Sequence, residues 1–283
     1  MSQVEWIFRP DVSRPVMVCA FSGWNDGGEA ASTAARHLRD QWGARRFAGL
    51  DPEEFYDFQV HRPTVRSLDG ITRRIDWPAN EFYLAQPAGR DVLLFIGVEP
   101  NTRWRTYCED LLRVASELDA EVLVTLGAFL ADVPHTLPAP VSASSADPDW
   151  LERSDIVPAR YEGPTGIVGV LHDIAASVGL ASVSVWAAAP HYLPSEVNPR
   201  AALALLETVR DLLDLEIDTG DMARAAIEWR RQVDQALEED GNLRDYVHRL
   251  EEAASARGEH TEIPDADELA AEVERYLRGR DDA

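Results

Sequence analysis

The sequence predicts an α/β fold with an acidic helical extension at its carboxyl end. Short apolar runs, such as those at 16–20 and 91–98, alternate with segments of helical periodicity, as a sheet covered by helices requires. A turn with three glycines separates the first of these runs from an alanine-rich helix. Beyond about residue 215 the chain becomes helical and acidic. We therefore expect an α/β core over 1–215 and an acidic helical extension over 216–283.

The pattern predicts the elements in order. The apolar run 16–20 suits a strand buried on both faces, as in a parallel sheet, and the helix 28–41 follows it. Shorter strands are expected near 44–50, 56–61, 71–76 and 81–86. Core strands are expected at 91–98, 121–126 and 181–188, and helices at 103–118, 166–178 and 199–213. Prolines and small polar residues predict an irregular connection over 127–148, and the extension should hold two long helices and a short one at 266–278.

The basic residues exclude several classes of enzyme. All 27 residues of the Lys+Arg count are arginine, and the sequence has no lysine. A P-loop, a Schiff-base enzyme and a kinase-like nucleotide site each need a lysine, so these classes are excluded. Arginine can hold an anion by bidentate hydrogen bonds, but it does not deprotonate to act as a base or nucleophile.

The charge and the apolar runs limit the partners. The net charge of -23 argues against binding to nucleic acid or to an anionic membrane, and it is compatible with a basic protein partner. Residues 211–283 alone hold 22 acidic residues and 9 arginines. No apolar run approaches the ~20 residues that cross a bilayer, and the first residues lack the apolar core of a signal peptide. We expect a cytoplasmic protein in which Cys19 and Cys108 are buried and reduced.

The glycine turn is the first candidate site. It presents an indole, an amide and two carboxylates beyond the predicted first strand, where ligands of open α/β folds collect. Its candidate residues for ligand binding or for an interface are Gly23, Trp24, Asn25, Asp26 and Glu29. The structural alternative is that Asn25 or Asp26 caps the helix and that Trp24 fills a gap between protomers.

Further ionisable residues follow other predicted strands. A base such as His135 or His191, paired with Asp26 or Asp132, could activate water. Arg103 or Arg105 could hold a phosphate or carboxylate. The remaining strand-end candidates are Glu99, Glu162 and Thr165. Four of these residues have a structural alternative, since His135 and His191 could brace their loops and Glu162 and Thr165 could fix a turn.

Other motifs of known chemistry do not occur. The sequence has no GxSxG nucleophile elbow and no HExxH pair of histidines. Asp26 and Glu29 could bind magnesium, but their spacing is common at the start of helices. We therefore predict no metal and no cofactor.

Five loop motifs together carry a family resemblance. They are FSGWNDGGEAA, GVEPNTRW, TLGAFLADVPHT, YEGPTGIVGVL and AAPHYLPSEVNP. On these motifs, residues 15–215 resemble the proteasome assembly chaperone 2 family. The resemblance implies a phosphorylase/hydrolase-like architecture, in which a mixed sheet lies between helices, and a homotrimer or a multiple of it. It also implies a scaffold or assembly-chaperone role, with proteasome subunits as a possible partner.

The last residues of the sequence bear on that role. Relatives that dock on proteasome rings commonly end in a hydrophobic residue, a tyrosine and one further residue, whereas this sequence ends in Asp281, Asp282 and Ala283. We therefore do not expect docking through such a tail. The alternative function is that of a hydrolase or phosphorylase-like transferase of a small anionic or nucleoside-like substrate. The acidic helices of the extension either pack on their own domain or a neighbouring protomer, or form a segment that binds a partner.

Overall fold

The structure is a computed structural model that describes residues 3–67, 73–151, 157–158, 163–193, 197–238 and 241–256. Its strands are β1 Val4–Trp6, β2 Val16–Ser22, β3 Arg45–Leu50, β4 Thr64–Ser67, β5 Arg73–Asp76, β6 Glu81–Ala85, β7 Val92–Val98, β8 Val122–Ala131, β9 Val141–Ser145, β10 Val157–Pro158 and β11 Ala181–Pro190. Its helices are α1 Ala30–Gln41, α2 Trp104–Glu117, α3 Pro148–Leu151, α4 Ile167–Ser177, α5 Pro199–Leu213, α6 Gly220–Leu237 and α7 Gly241–Ala256.

Nine strands form one mixed sheet in the order β1-β3-β6-β7-β2-β8-β11-β9-β10. The four central strands β7, β2, β8 and β11 are parallel, and antiparallel strands flank them. Strand β2 lies between β7 and β8. After β2 the chain first forms the strands on one side of it, ending with β7, and then crosses to form β8 on the other side. In an open α/β sheet such a reversal of strand order creates a crevice at the carboxyl ends of the strands.

Helices cover both faces of the sheet, which confirms the predicted α/β class. Alternate residues of β2 point to opposite faces, as the period of a strand requires. Val16, Val18 and Ala20 pack in the core beneath α1 and α5, whereas Met17 and Cys19 pack in the core beneath α2 and α4. The purely apolar run at 16–20 therefore identified a strand buried on both faces.

The first two helices of the extension pack on the core. Helix α6 contacts α5, and α7 contacts α6. Their apolar stripes form a small cluster of Trp229, Val233, Leu237 and Val247, against which Tyr192 and Leu193 of the core pack. The predicted helix at 266–278 lies outside the described residues.

Two local predictions are wrong. Residues 56–61 form turns, because Asp57 accepts hydrogen bonds from the main chains of Gln59 and His61. The predicted irregular connection over 127–148 contains regular structure, because β8 continues to Ala131 alongside β11 and because β9 pairs antiparallel with β11. Pairing with β11 determines both strand segments, and the local sequence does not show that pairing.

Both cysteines are buried and free, as predicted. Within the described part of the chain, no helix combines the length and the apolar character that crossing a bilayer demands.

Candidate functional site

The glycine turn leaves β2 at the crevice between β7 and β8. Gly23 has a φ of +129°, a conformation that favours glycine. The main-chain oxygen of Asn25 accepts a hydrogen bond of 2.8 Å from Ala128 N, which joins the turn to the neighbouring strand β8. The turn is thereby held over the carboxyl end of the sheet.

The Glu99 carboxylate lies at the centre of this turn. Glu99 follows β7, and its Oε1 accepts hydrogen bonds of 2.9 Å from Asn25 Nδ2 and of 2.9 Å from Ile167 N. Its Oε2 accepts a longer bond of 3.3 Å from Trp24 N. Ile167 is the first residue of α4, so the carboxylate also lies at the positive end of that helix dipole. An anionic ligand of an α/β fold typically occupies such a position, and here Glu99 occupies it.

Gly166 permits this close approach of α4. A Cβ atom at Gly166 would lie 2.3 Å from Asn25 Oδ1 and 2.9 Å from Glu99 Oε1, which is too close for van der Waals contact. Gly166, the second glycine of the motif YEGPTGIVGVL, therefore allows α4 to pack against the turn.

Asp26 supports the helix that follows the turn. Its Oδ1 accepts hydrogen bonds of 2.7 Å from Ala31 N and of 3.2 Å from Ser32 N. Burial raises the pKa of Asp26 above its ordinary value, and the hydrogen bonds from Ser32 and Ala31 partly oppose that shift. The other oxygen of this carboxylate, Oδ2, is buried without a hydrogen-bond partner among the described residues. The geometry matches the structural alternative, in which Asp26 caps α1.

Other candidate residues of this region face solvent. Trp24 is 48% exposed, and Glu29 is exposed and pairs with Arg36 at 3.3 Å. Arg103, just before α2, pairs with Glu54 at the surface. Thr165 Oγ1 makes a long contact of 3.5 Å with the main-chain oxygen of Gly166. The candidate Arg105 is also exposed, and Glu162 lies outside the described residues.

A second group of polar residues, the histidine cluster, consists of Asp132, His135, His191, Tyr192 and the residues of α6 and α7 that contact them. His135 is 3% exposed. The Tyr192 hydroxyl accepts a hydrogen bond of 2.8 Å from His135 N and lies 2.7 Å from His135 Nδ1. His135 Nε2 lies 2.9 Å from Asp234 Oδ1 of α6.

These contacts define the neutral state of His135. The carboxylate can only accept, so Nε2 carries the proton, and the Tyr192 hydroxyl donates to Nδ1. Burial lowers the pKa of His135 below its ordinary value, although Asp234 opposes the shift. Burial likewise raises the pKa of Tyr192 to about 12, so Tyr192 remains a hydroxyl at neutral pH. The arrangement fixes α6 to the core.

His191 makes the matching contact with α7. Its Nδ1 lies 3.0 Å from Asp132 Oδ1, but the angles between the two groups are not those of a hydrogen bond. The same oxygen accepts a hydrogen bond of 2.9 Å from the Tyr246 hydroxyl of α7. The rings of His191, Tyr192 and Tyr246 pack edge to face, with centroids 5.7–6.0 Å apart. The loops after β8 and β11 therefore hold both helices.

The structure thus divides the predicted catalytic residues. Asp132, His135 and His191 come together around Tyr192, whereas Asp26 contacts the start of α1. Sequence analysis did not identify Asp234 and Tyr246 as their partners, because the helical periodicity of the extension shows its apolar stripe but not its docking site. Nor did it identify His172, whose ring nitrogens each lie 2.8 Å from a hydroxyl, those of Thr125 and Ser182. Burial lowers the pKa of His172 to about 4.

The described residues contain no group of three or more histidine, cysteine, aspartate or glutamate side chains arranged to hold a metal ion.

Comparisons with known proteins place the chain in a family. A PAC2 family protein from Streptomyces avermitilis is 48% identical in sequence and has a TM-score of 0.77, with 82% of this chain and 99% of that chain covered. A proteasome-assembly chaperone homologue from Mycobacterium tuberculosis is 44% identical with a TM-score of 0.75, at the same coverage of both chains. An archaeal proteasome activator from Pyrococcus furiosus shares the fold, with a TM-score of 0.66 at 20% identity over 83% of this chain and 98% of that chain.

A search of curated proteins gives no match. The PAC2 family model matches residues 20–237, which include the glycine turn, the histidine cluster's loops and α6. The resemblance seen in the five loop motifs is confirmed, and the chain belongs to the PAC2 family.

Proposed function

We propose that the protein is a homo-oligomeric scaffold that assists the assembly of other proteins, with proteasome subunits as its partners. The observation that carries this proposal is the position of Glu99. Its carboxylate accepts hydrogen bonds from the turn and from α4 where an α/β enzyme would bind an anionic substrate. Because the protein's own carboxylate occupies this crevice, we infer that the protein recognises its partner through its surface.

The polar residues of the histidine cluster support the same role. A general base must reach a substrate, but His135 is nearly fully buried and both of its ring nitrogens have partners in the protein. The hydrolase or transferase alternative would need these contacts to open. The described contacts therefore favour the scaffold.

The glycine turn offers a surface for a partner. Asn25 and Asp26 are buried and hold the turn, while Trp24 stands 48% exposed beside them. Exposed tryptophans are frequent anchors of protein interfaces, because they bury a large area with little loss of conformational entropy. We assign Trp24 as an anchor for the partner, with Glu29 and Arg103 at the rim of the contact.

The relatives support the choice of partner. One relative that is 44% identical is a proteasome-assembly chaperone homologue, and a more distant one is a proteasome activator. We include in the proposal a homotrimer or a multiple of it, a phosphorylase/hydrolase-like architecture, a cytoplasmic location and a division into a core over 1–215 and an extension over 216–283.

Purified α- and β-type proteasome subunits provide the test. We expect the protein to bind them or to change the rate at which they form rings, as measured by sedimentation and native electrophoresis. Trp24→Ser should weaken the effect at least about tenfold, in line with the loss of an interface anchor. Ile227→Ser is the matched control, because Ile227 is an exposed apolar residue of α6 at 71% exposure. If the wild-type protein neither binds the subunits nor alters their assembly, the proposed partner is wrong.

A further inference from the structure

Strands β4 and β5 form a separate two-stranded sheet that projects from the core. We name the described residues 60–67 and 73–77 the arm. All four residues of β4 and the first three of β5 are exposed. A two-stranded sheet is marginally stable alone in water, so the arm is expected to gain stability from a contact outside its own protomer.

The arm carries an uncovered apolar group. Val65 and Ile75 lie directly opposite each other on the two strands and are 57% and 52% exposed. Val60 at 67% and Trp77 at 48% exposure lie at the base of the same arm. A group of exposed apolar side chains on one projecting element marks a site of interaction.

The arm is also basic on a strongly acidic chain. Its described residues include Arg62, Arg66, Arg73 and Arg74 against one carboxylate, that of Asp76, and the sequence between the two strands adds Asp69. Arg66 and Arg74 lie opposite each other on one face of the arm, an unfavourable arrangement that both relieve by contacting Asp76, at 2.5 and 3.3 Å. Arg73 lies on the other face, together with Val65 and Ile75. An excess of arginine around apolar residues indicates a partner surface that is acidic and apolar.

The chain itself has such a surface after α5, which we name the acidic groove. Four exposed acidic residues rim it: Asp211, Asp214, Glu216 and Asp218. Trp42 supplies partly exposed apolar lining, whereas Leu215 and Ile217 are buried in the floor of the groove. Arg210 also lines the groove and pairs with Asp211 at 2.9 Å. The main-chain oxygens of residues 216 and 218 accept hydrogen bonds from Trp42 Nε1 at 3.2 Å and Gln41 Nε2 at 3.1 Å, while the side chains of Glu216 and Asp218 are exposed.

The arm and the groove lie at opposite ends of strand β7. The base of the arm is held beyond the carboxyl end of β7, where His61 Nδ1 lies 2.9 Å from Asn101 Oδ1. Pro87 and Ala88, which also line the groove, precede the amino end of β7. A strand of seven residues is about 23 Å long. An arm therefore fits the groove of a neighbouring protomer rather than its own.

We propose that the arm of one copy binds the acidic groove of a second copy. The two surfaces differ, so the contact is head-to-tail and closes into a ring when the rotation between protomers permits. Arg73, which lies on the same face of the arm as Val65 and Ile75, pairs with the groove's carboxylates, and Val65 and Ile75 pack against Trp42. This inference rests on the homo-oligomeric part of the proposed function and is independent of the proteasome partner.

Exchange of the charges tests the contact in the full-length protein. The arm variant carries Ser67→Glu with Arg73→Glu, two residues that share the face of Val65 and Ile75, and the groove variant carries Asp211→Arg with Glu216→Arg. We expect each variant to weaken self-association at least about tenfold in sedimentation equilibrium, because each places like charges across the contact. The variant with all four changes should associate again, because the two charges are then exchanged. Restored association also shows that the altered surfaces still fold.

Each other outcome has a definite meaning. If the wild-type protein associates and neither pair of changes weakens it, the contact lies elsewhere and this inference is wrong, while the proposed function stands. If the four changes together do not restore association that each pair removes, the arm and the groove do not meet. A wild-type protein that is monomeric at high concentration overturns the inference together with the homo-oligomeric part of the proposed function.

Discussion

The glycine turn and the histidine cluster both contain ionisable side chains at the carboxyl ends of neighbouring strands. The two regions differ in the groups with which these side chains form hydrogen bonds. In the turn, the carboxylates of Glu99 and Asp26 accept hydrogen bonds mainly from main-chain N–H groups. In the histidine cluster, side chains such as His135 contact other side chains in α6 and α7. The turn is thus part of the core, whereas the cluster attaches the extension to it.

Substitution of Glu99 gives the largest expected effect. Glu99→Ala leaves Asn25 Nδ2 and Ile167 N without their acceptor in a region largely closed to water, so the free energy of unfolding should fall by about 3 kcal/mol. The measurement is chemical denaturation. Glu109→Ala removes an exposed carboxylate of α2 and should change the value by less than about 0.5 kcal/mol. Equal stability of the two variants would show that Glu99 does not hold the turn.

The corresponding change in the histidine cluster should act locally. Tyr192→Phe removes the hydroxyl that binds His135 N and Nδ1, at a cost of about 1–2 kcal/mol. Because Tyr192 holds His135, which in turn contacts Asp234 of α6, amide exchange should accelerate in α6 and α7 and stay unchanged in α1. Uniform acceleration across the protein would remove the distinction between the two regions.

Two substitutions at Asp26 test how the turn supports α1. Asp26→Ala removes the acceptor for Ala31 N and Ser32 N and should cost about 1 kcal/mol, as the loss of a helix cap does. Asp26→Asn keeps an acceptor oxygen and removes a buried charge, so it should cost less. Thermal unfolding of the two variants gives this order. A greater loss from Asn than from Ala would mean that the charge of Asp26 has a further role.

The smallest expected effect is a dependence on pH in the histidine cluster. Burial lowers the pKa of His135 in the folded protein, so the unfolded chain binds more protons at mildly acidic pH. The free energy of unfolding should therefore fall as the pH drops through and below about 6.5.

The measurement compares the wild-type protein with His135→Gln at about pH 7.5 and about pH 5.5. The wild-type protein should lose more stability than the variant, since glutamine does not titrate. A loss of equal size in both proteins would contradict a buried neutral His135.

The sequence predicted those parts of the molecule that depend on local pattern. The helix 199–213 was predicted with the bounds observed, because Pro199 suits the first turn and apolar residues recur at helical spacing. The glycine turn was recognised because glycine and strand patterns adjoin within a few residues. The alternative in which Asp26 caps the helix matches the geometry.

Contacts between distant segments could not be predicted in this way. Strand β8 continues to Ala131 because it pairs with β11, and the contact of His135 with Asp234 joins residues 99 positions apart in the sequence. Neither leaves a periodic pattern in the sequence. The carboxylate of Glu99 was recognised as a strand-end group, but its role as an acceptor for α4 depends on where that helix packs.

A thermal-shift screen tests most directly whether the strand-end polar groups serve the fold rather than a substrate. It compares the wild-type protein with Asp26→Ala and His135→Ala in the presence of phosphate, nucleosides, nucleotides, small carboxylates and divalent metals. The account predicts no saturable stabilisation of the wild-type protein by any of them. A saturable stabilisation that both variants lose, of about 2.7 kcal/mol at a hundredfold excess over Kd, would contradict it and establish a ligand site.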